Sequence, residues 1–417
     1  MTLLILDQTK LAGTTGPLTV KVQLGFTAAG VGAPFFTLDD PIKGVLNNEI
    51  YVLGGGEAFV DVTADVRRFS ISRGKSRELD QYRAGRATVE FNNNDRAYDP
   101  TFEASPYYGQ IVPQRQVVIS VNDEIIYTGV VDDWNIDFSL NGTGTAQLSA
   151  LDATSNLSNL DLSAFSPSEE LSGTRVTNAL DNVDWPVTAR SIDAGQETLE
   201  AQTDIDDNVM SYLQTVAFSE AGDVFVNKLG ELEFVDRNNS QALAGVTFSD
   251  SGDGIAYEAI QVVYGSEQLH NAITLTNSTG TAVATNANSI EAFGRRDFEE
   301  STFVADSNDL NILADYYAQK YALPEFRIDS LRVNMDKLFQ EQRESLLDLE
   351  LGDSVVIKFT PNGIPPQIEL VGKIIGIGYD ANPQRQSINF KFQTIQAPLL
   401  ILDSAQFGKL DTGVLGL

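Results

Sequence analysis

The stretch RATVEFNN, residues 86–93, sets Ala87, Val89 and Phe91 against Thr88 and Glu90 in strict alternation. A period of two suits a strand with one buried and one wet face, and it cannot form an amphipathic helix. The same texture fills residues 17–150. LTVKVQLGF, EIYVLGGG and AFVDVTADV come first. QVVISVNDEIIYTGVVDDWNIDF then reads as a hairpin turning at Asn122-Asp123, and GTAQLSALDA as one more strand. Turn signals every eight to twelve residues predict a β-barrel or sandwich.

The pattern changes after residue 155. TRVTNALDNVDWP places Val176, Leu180 and Val183 at helical spacing, closed by Pro186. In TDIDDNVMSYLQTVAFSEAGDVFVNKLGELEFVDR, acidic residues fill the first turn and Val209, Leu213, Val216 and Ala217 form an apolar stripe. Gly222 is the expected C-cap, and DVFVN pairs with LEFVD across KLGE, giving a helix laid on a hairpin. YEAIQVVYG and NAITLTN are strands again, and NSTGTAVATNANSI is a polar hairpin or loop. A helix is predicted from Ser307, its N-cap, to just before Pro324. RIDSLRVNM, DSVVIKFT, LVGKIIGIGYD and SINFKFQTI close the chain as a second set of barrel strands. The fold class expected is mainly β with an α+β insertion, two β-barrel units flanking a small α+β domain. The 417 residues exceed one ordinary core.

Chemistry is hard to place in this chain. It has no Cys, which excludes disulfides, thiolate catalysis and Cys-ligated zinc, and one His, His270, which makes a Ser-His-Asp triad unpromising. No nucleotide or hydrolase motif is present. With 58 acidic residues no carboxylate pair stands out, and catalytic, metal and cofactor residues are all expected to be none. SDSGDG, with Asp250 and Asp253, lacks the other ligands of a calcium loop and reads as a turn. The GGG at 54–56 has no following helix, and Asn277 in NST reads as a loop residue. Trp134 and Trp185 sit in apolar patterns and are assigned to the core. The N-terminus lacks the basic lead and cleavage pattern of a signal peptide, and no run reaches membrane-span length.

Net charge is −30, yet residues 67–100 gather Arg67, Arg68, Arg73, Lys75, Arg77, Arg83, Arg86 and Arg96. A solvated hairpin paired with surrounding acids and a protein interface explain this equally well. A nucleic-acid patch is weaker, because acids interleave and no aromatic platform accompanies the cations.

DVTADVRRFSISRGKSRELDQYRAGRATVEFNNNDRAYDP, followed by SPYYGQIVPQRQVVI, resembles the N-terminal signature of minor tail proteins of long-tailed bacteriophages. ALDNVDWPVTARSIDAG, GDVFVNKLGELEFVDR, ELGDSVVI and LILDSAQFGKLDTGVLGL extend the resemblance over residues 58–417. That family is similar to the baseplate hub, or tail-tip, proteins. The resemblance implies domains at 58–153 (first barrel), 154–257 (inserted α+β) and 258–396 (second barrel with one helix). An N-terminal β-rich extension at 1–57 and a C-terminal tail at 397–417 complete the division. It implies a non-enzymatic virion protein at the tail tip, made and assembled in the bacterial cytoplasm. Its barrels are tail-tube-like, and three copies alternate them around one ring that joins tube to tip and lines the DNA exit channel.

The partners implied are distal tail and tail tube proteins, the tape measure protein and other tail-tip or fibre proteins. Double-stranded DNA passes without specific binding, and no stable membrane insertion is expected. On this view Arg73, Lys75, Arg77, Arg83 and Arg86 make contacts between copies or with neighbours, while the channel wall is acidic or uncharged. The alternatives are a hexameric distal tail ring, a tail-associated receptor- or carbohydrate-binding protein, and a cell-wall hydrolase.

Overall fold

Alternation builds the first β half as expected. Its strands are β1 (Val20–Ala29), β2 (Phe59–Asp61), β3 (Val66–Gly74), β4 (Arg83–Asn92), β5 (Arg115–Val121), β6 (Glu124–Phe138) and β7 (Gly144–Leu151). The computed structural model describes residues 18–29, 59–140, 142–238 and 243–395. The segment EIYVLGGG, with its GGG, most of the 1–57 extension and the 397–417 tail therefore lie outside the described residues. Asn122 and Asp123 both take positive φ, 51° and 67°, and turn β5 into β6 as a two-residue hairpin.

The NNNDRAYDP turn is held by its own side chains. Asn93 accepts from Tyr98 N at 2.9 Å, Asp95 from Ala97 N at 3.1 Å and Asn94 from Gly144 N at 2.8 Å. The turn folds Tyr98 back onto Phe91, ring centroids 4.5 Å apart, and both side chains are fully buried.

The insertion begins with α1 (Ala153–Leu157), β8 (Glu170–Leu171) and α2 (Ser172–Asn182). It continues with β9 (Arg190–Ile192), β10 (Thr198–Leu199), α3 (Val209–Glu220), β11 (Asp223–Val226) and β12 (Leu232–Val235). β11 and β12 form the expected hairpin, and β9 adds to it in parallel. Val209, Leu213, Val216 and Ala217 pack on Val224, Val226, Leu232 and Phe234 in a core of their own.

Two terminal details of α3 differ from the sequence reading. The acids lie before the helix, and Asn208 caps it by accepting from Ser211 N. The left-handed C-cap is Ala221 (φ 54°), one residue early. Gly222 is required instead by close packing, since a Cβ there would meet Val235 O at 2.4 Å.

The second β half comprises β13 (Leu243–Ser249), β14 (Ala259–Gly265), β15 (Ala272–Thr276), β16 (Thr281–Thr285) and β17 (Asp297–Ser301). β18 (Glu325–Asn334), β19 (Ser354–Phe359), β20 (Ile368–Asn382) and β21 (Arg385–Ile395) complete it. The Ser/Thr/Asn stretch is a hairpin, β15–β16, continuing into α4 (Ala287–Phe293). α5 (Ser307–Lys320) covers β15 and β16 with Leu310, Leu313, Ala314 and Tyr317. Its cap is Asp306, which accepts from Asn308 N and Asp309 N, so the predicted Ser307 is the first helical residue. α6 (Gln340–Asp348) went unread in the sequence because its exposed face dominates its composition.

The two β halves share one sheet and one apolar core, which runs from Val22 through Phe91 to Phe392. The joint is β3 against β20, antiparallel, with Ser70 opposite Asp380, Ile71 opposite Tyr379 and Ser72 opposite Gly378. The chain is mainly β with an α+β insertion.

Candidate interaction surface

Within the 13-stranded sheet, the run β14-β18-β21-β20-β3-β4-β7-β6 forms an eight-strand sheet segment whose rows cross from one half to the other. One row reads Val333, Ile388, Tyr379, Ile71, Ala87, Ala150 and Val131 through successive registers, and every member is buried. The next row reads Asn334, Ser387, Asp380, Ser70, Thr88, Ser149 and Asp133. Every member of that row is polar. Alternation carried over seven strands gives one face to the core and leaves a broad polar face outside. Arg332, Asn389, Gly378, Ser72 and Arg86 form a further row on the outer face, so positive and negative side chains both occur there.

At one end of the β3–β20 joint the basic segment enters the protein. Gly74 takes φ +100°, and a Cβ on it would lie 2.2 Å from Ile375 O. Only glycine passes the β20 backbone this closely. The chain then donates Lys75 N to Ile375 O at 2.8 Å.

Four ion pairs around three carboxylates follow from that entry. Arg73 Nη1 lies 2.7 Å from Glu350 Oε1, joining the first half to the second. Lys75 Nζ and Lys373 Nζ lie 3.1 and 2.5 Å from the two carboxylate oxygens of Asp223, which starts β11 of the insertion. Glu78 accepts from Tyr321 OH at 2.7 Å and Gln393 Nε2 at 2.5 Å, with Lys320 Nζ at 2.6 Å. Burial acts to raise the Asp223 pKa, but Lys373 and Lys75 outweigh it and hold the carboxyl well below the usual range. Burial opposes the charge on Lys320, and the Glu78 carboxylate overcomes it, so that pKa is raised.

Arg73 and Lys75, expected at contacts between copies, are thus placed inside the chain. Each is a buried cation paired with a carboxylate of a distant segment, Arg73 with Glu350 and Lys75 with Asp223, which makes it an intramolecular tie. Arg77, Arg83 and Arg86 stay exposed. Arg77 lies 3.6 Å from Glu267, and Arg83 and Arg86 form no ion pair among the described residues. The residues that sequence reasoning missed are the acceptors: Asp223, Glu350 and Glu78. Lys373, a lone cation inside LVGKIIGIGYD, is the one signal that a buried carboxylate had to be near.

The other sequence candidates have structural roles. Trp185 is buried and donates Nε1 to Ala189 O at 3.3 Å, and Trp134 packs 5.9 Å from both Phe91 and Tyr98. His270 lies against Phe298, its Nδ1 3.3 Å from Asp297 O. In SDSGDG, Asp253 accepts from Ser251 Oγ at 2.8 Å and Lys358 Nζ at 3.1 Å, and Asp250 from Thr360 N at 2.5 Å, a self-satisfied turn. No group of three or more acidic or imidazole side chains among the described residues is placed to hold a metal ion. None of the described helices is long and apolar enough to cross a membrane.

No protein-family model and no curated protein matches the chain. Solved structures do match. A tail protein from Neisseria meningitidis superposes with a TM-score of 0.59 at 11% identity, covering 91% of this chain and 97% of that one. The 43 kDa tail protein of prophage MuSo2 from Shewanella oneidensis gives 0.53 at 14% identity, covering 81% and 94%. At such identities the agreement is one of architecture, reached over more than four fifths of this chain and more than nine tenths of each of the other two. The fold of this chain is that of phage tail proteins.

Proposed function

We propose that this chain is a structural component of a phage tail, acting as a hub at the tail tip. Three copies form a ring that joins the tail tube to the tip and surrounds the channel through which DNA leaves. The observation carrying this reading is the sheet that crosses from β20 to β3 with an unbroken polar face. Each half supplies four strands to it, β14, β18, β21 and β20 from one and β3, β4, β7 and β6 from the other. A chain that offers two equivalent four-strand arcs satisfies a sixfold tube with three copies in a closed cyclic arrangement.

On this reading the polar face is the channel wall. DNA carries about one negative charge per 1.7 Å of axis, so a continuous cationic wall would retain it. Ser, Thr, Asn and Gly with interspersed charges of both signs give the phosphates no ladder to hold. The wall is then more balanced than the acidic one expected from composition. Arg86 stands on it, and Arg77 and Arg83, nearer the rim, are left for contacts with other copies or neighbouring tail proteins. The chain acts without catalysis: its buried cations and carboxylates at the joint are tied to each other, and Trp185 is not open to a sugar ring.

The test is the copy number and position of the chain in an assembled particle, read from a cryo-EM map. Three copies around the axis with β3 and β20 facing the bore support the reading. Six copies favour the distal-ring alternative, and a location off the axis excludes both.

A further inference from the structure

The sheet continues from the first half of β6 into β5, β1 and β2, yet two stretches of strand edge stay open. β14 pairs only with β18, and the outer half of β6, Asp132–Phe138, pairs only with β7, among the described residues. Open edges of this length are templates for another strand, and soluble proteins ordinarily blunt them with lysines, prolines or bulges. β14, AIQVVYG, carries no charge and no proline, and its one irregularity is the register shift against β18 between Gln261 and Val262. Tyr264 on it is 71% exposed, and Phe326 opposite it on β18 is 40% exposed. At the other edge Phe138 is 59% exposed.

We infer that these two edges are partners: β14 of one copy pairs with the outer half of β6 of the next copy, extending the sheet from chain to chain. This rests on the ring reading above and specifies its joint. Three features of the sheet select a second copy as the occupant. The seven neighbouring pairs of the eight-strand sheet are all antiparallel. The end strands therefore run in opposite directions, so β6 of one copy meets β14 of another in the same antiparallel sense. The β3–β20 joint is an internal example of this edge-to-edge contact, with polar row matched to polar row. Charge also agrees. Exposed Asp132, Asp133 and Asp137 line the β6 edge, while Arg332 stands opposite Ala259 and Arg77 lies by Glu267, just beyond the end of β14.

The polar face fixes the parity of the register. Gln261, opposite Ser330, and Asn135, opposite Gln147, belong to the outer face. A one-residue slip would turn one strand's apolar side chains outward, so Gln261 faces Asp133, Asn135 or Asp137.

The chain contains no cysteine, so engineered thiols report cleanly. Three double variants pair Gln261→Cys with Asp133→Cys, Asn135→Cys or Asp137→Cys, all at exposed positions. Directly opposed strand residues lie about 4.5–5.5 Å apart, within the range a disulfide spans. Each is oxidised in particles assembled with the variant in place of the wild-type chain.

The expected result is covalent trimers from one double variant, with the other two at least tenfold weaker and single variants giving none. Gln261→Lys with Tyr264→Lys should reduce ring formation at least tenfold and leave thermal unfolding of the isolated chain unchanged. A three-copy ring with no crosslink from any pair, insensitive to the lysines, overturns the joint and leaves the ring reading standing. Any other copy number around the axis overturns both.

Discussion

Ile71 stands directly opposite Tyr379 in the antiparallel register that joins the two β halves, and both side chains are buried in the common core. The halves of this protein are therefore one sheet in two parts. The insertion is held against that sheet by Phe225, which packs on Tyr82 in the common core, and by a buried ion pair that gives the first prediction.

Asp223 is the shared acceptor of Lys75 and Lys373. Asp223→Asn leaves two buried ammonium groups facing each other without a counter-charge. The expected loss is about 3–5 kcal/mol in urea unfolding at pH 7. The carboxyl is held low in the fold, so its contribution is present above its unfolded pKa, near 3.8, and fades only in stronger acid. Loss of less than 1 kcal/mol would mean that the pair is solvated.

Glu233 titrates in the opposite sense. Burial first, then Glu350, Glu231 and Asp193, push its pKa up to about 7, against a hydrogen bond from Asn227. A carboxyl raised in the fold contributes stability below its unfolded value of 4.5 that is lost as pH rises towards 7. Glu233→Gln should flatten the urea midpoint between pH 4.5 and 7. It should gain about 1–2 kcal/mol at pH 8, after allowance for partial solvent screening. Parallel curves for the two proteins would refute this.

Gly74→Ala tests the close approach of β3 to β20. The new Cβ meets Ile375 O, and the φ of +100° is strained for alanine. A loss of about 2 kcal/mol or more is expected. Gly109, at φ +74° with open space around it, is the control, and alanine there should cost about 1 kcal/mol. Equal effects would show that the β20 backbone yields.

The exposed arginines separate folding from assembly. Arg77→Glu with Arg83→Glu should leave the melting temperature of the isolated chain within about 1 °C, since exposed charges contribute little. It should reduce incorporation into particles, measured by mass spectrometry of purified tails, whereas Arg86→Glu should not. Normal incorporation of the double variant removes these residues from the interface.

Phe91→Ala removes a fully buried ring stacked on Tyr98 and near Trp134. About 3–5 kcal/mol is expected from lost burial and the cavity left behind. A loss below 1.5 kcal/mol in calorimetry would mean that the turn collapses to fill the space.

Sequence by itself determined the local elements. Alternation gave β3, β4 and β7, the Asn122-Asp123 pair gave its hairpin, and apolar spacing gave α3 and α5, because each depends on neighbours within a few residues. Helix ends slipped by one residue at Ser307 and Gly222, where capping geometry and backbone contact compete for the same short stretch. Only the tertiary structure decided that β3 pairs with β20, that Lys75 belongs to Asp223, and that two strand edges stay open. Strand pairing and ion pairing are set by which distant segments are brought together in space. Arg73 and Arg83, with the same charge and ten positions apart, read alike in the sequence; folding buried the first against Glu350 and left the second in water.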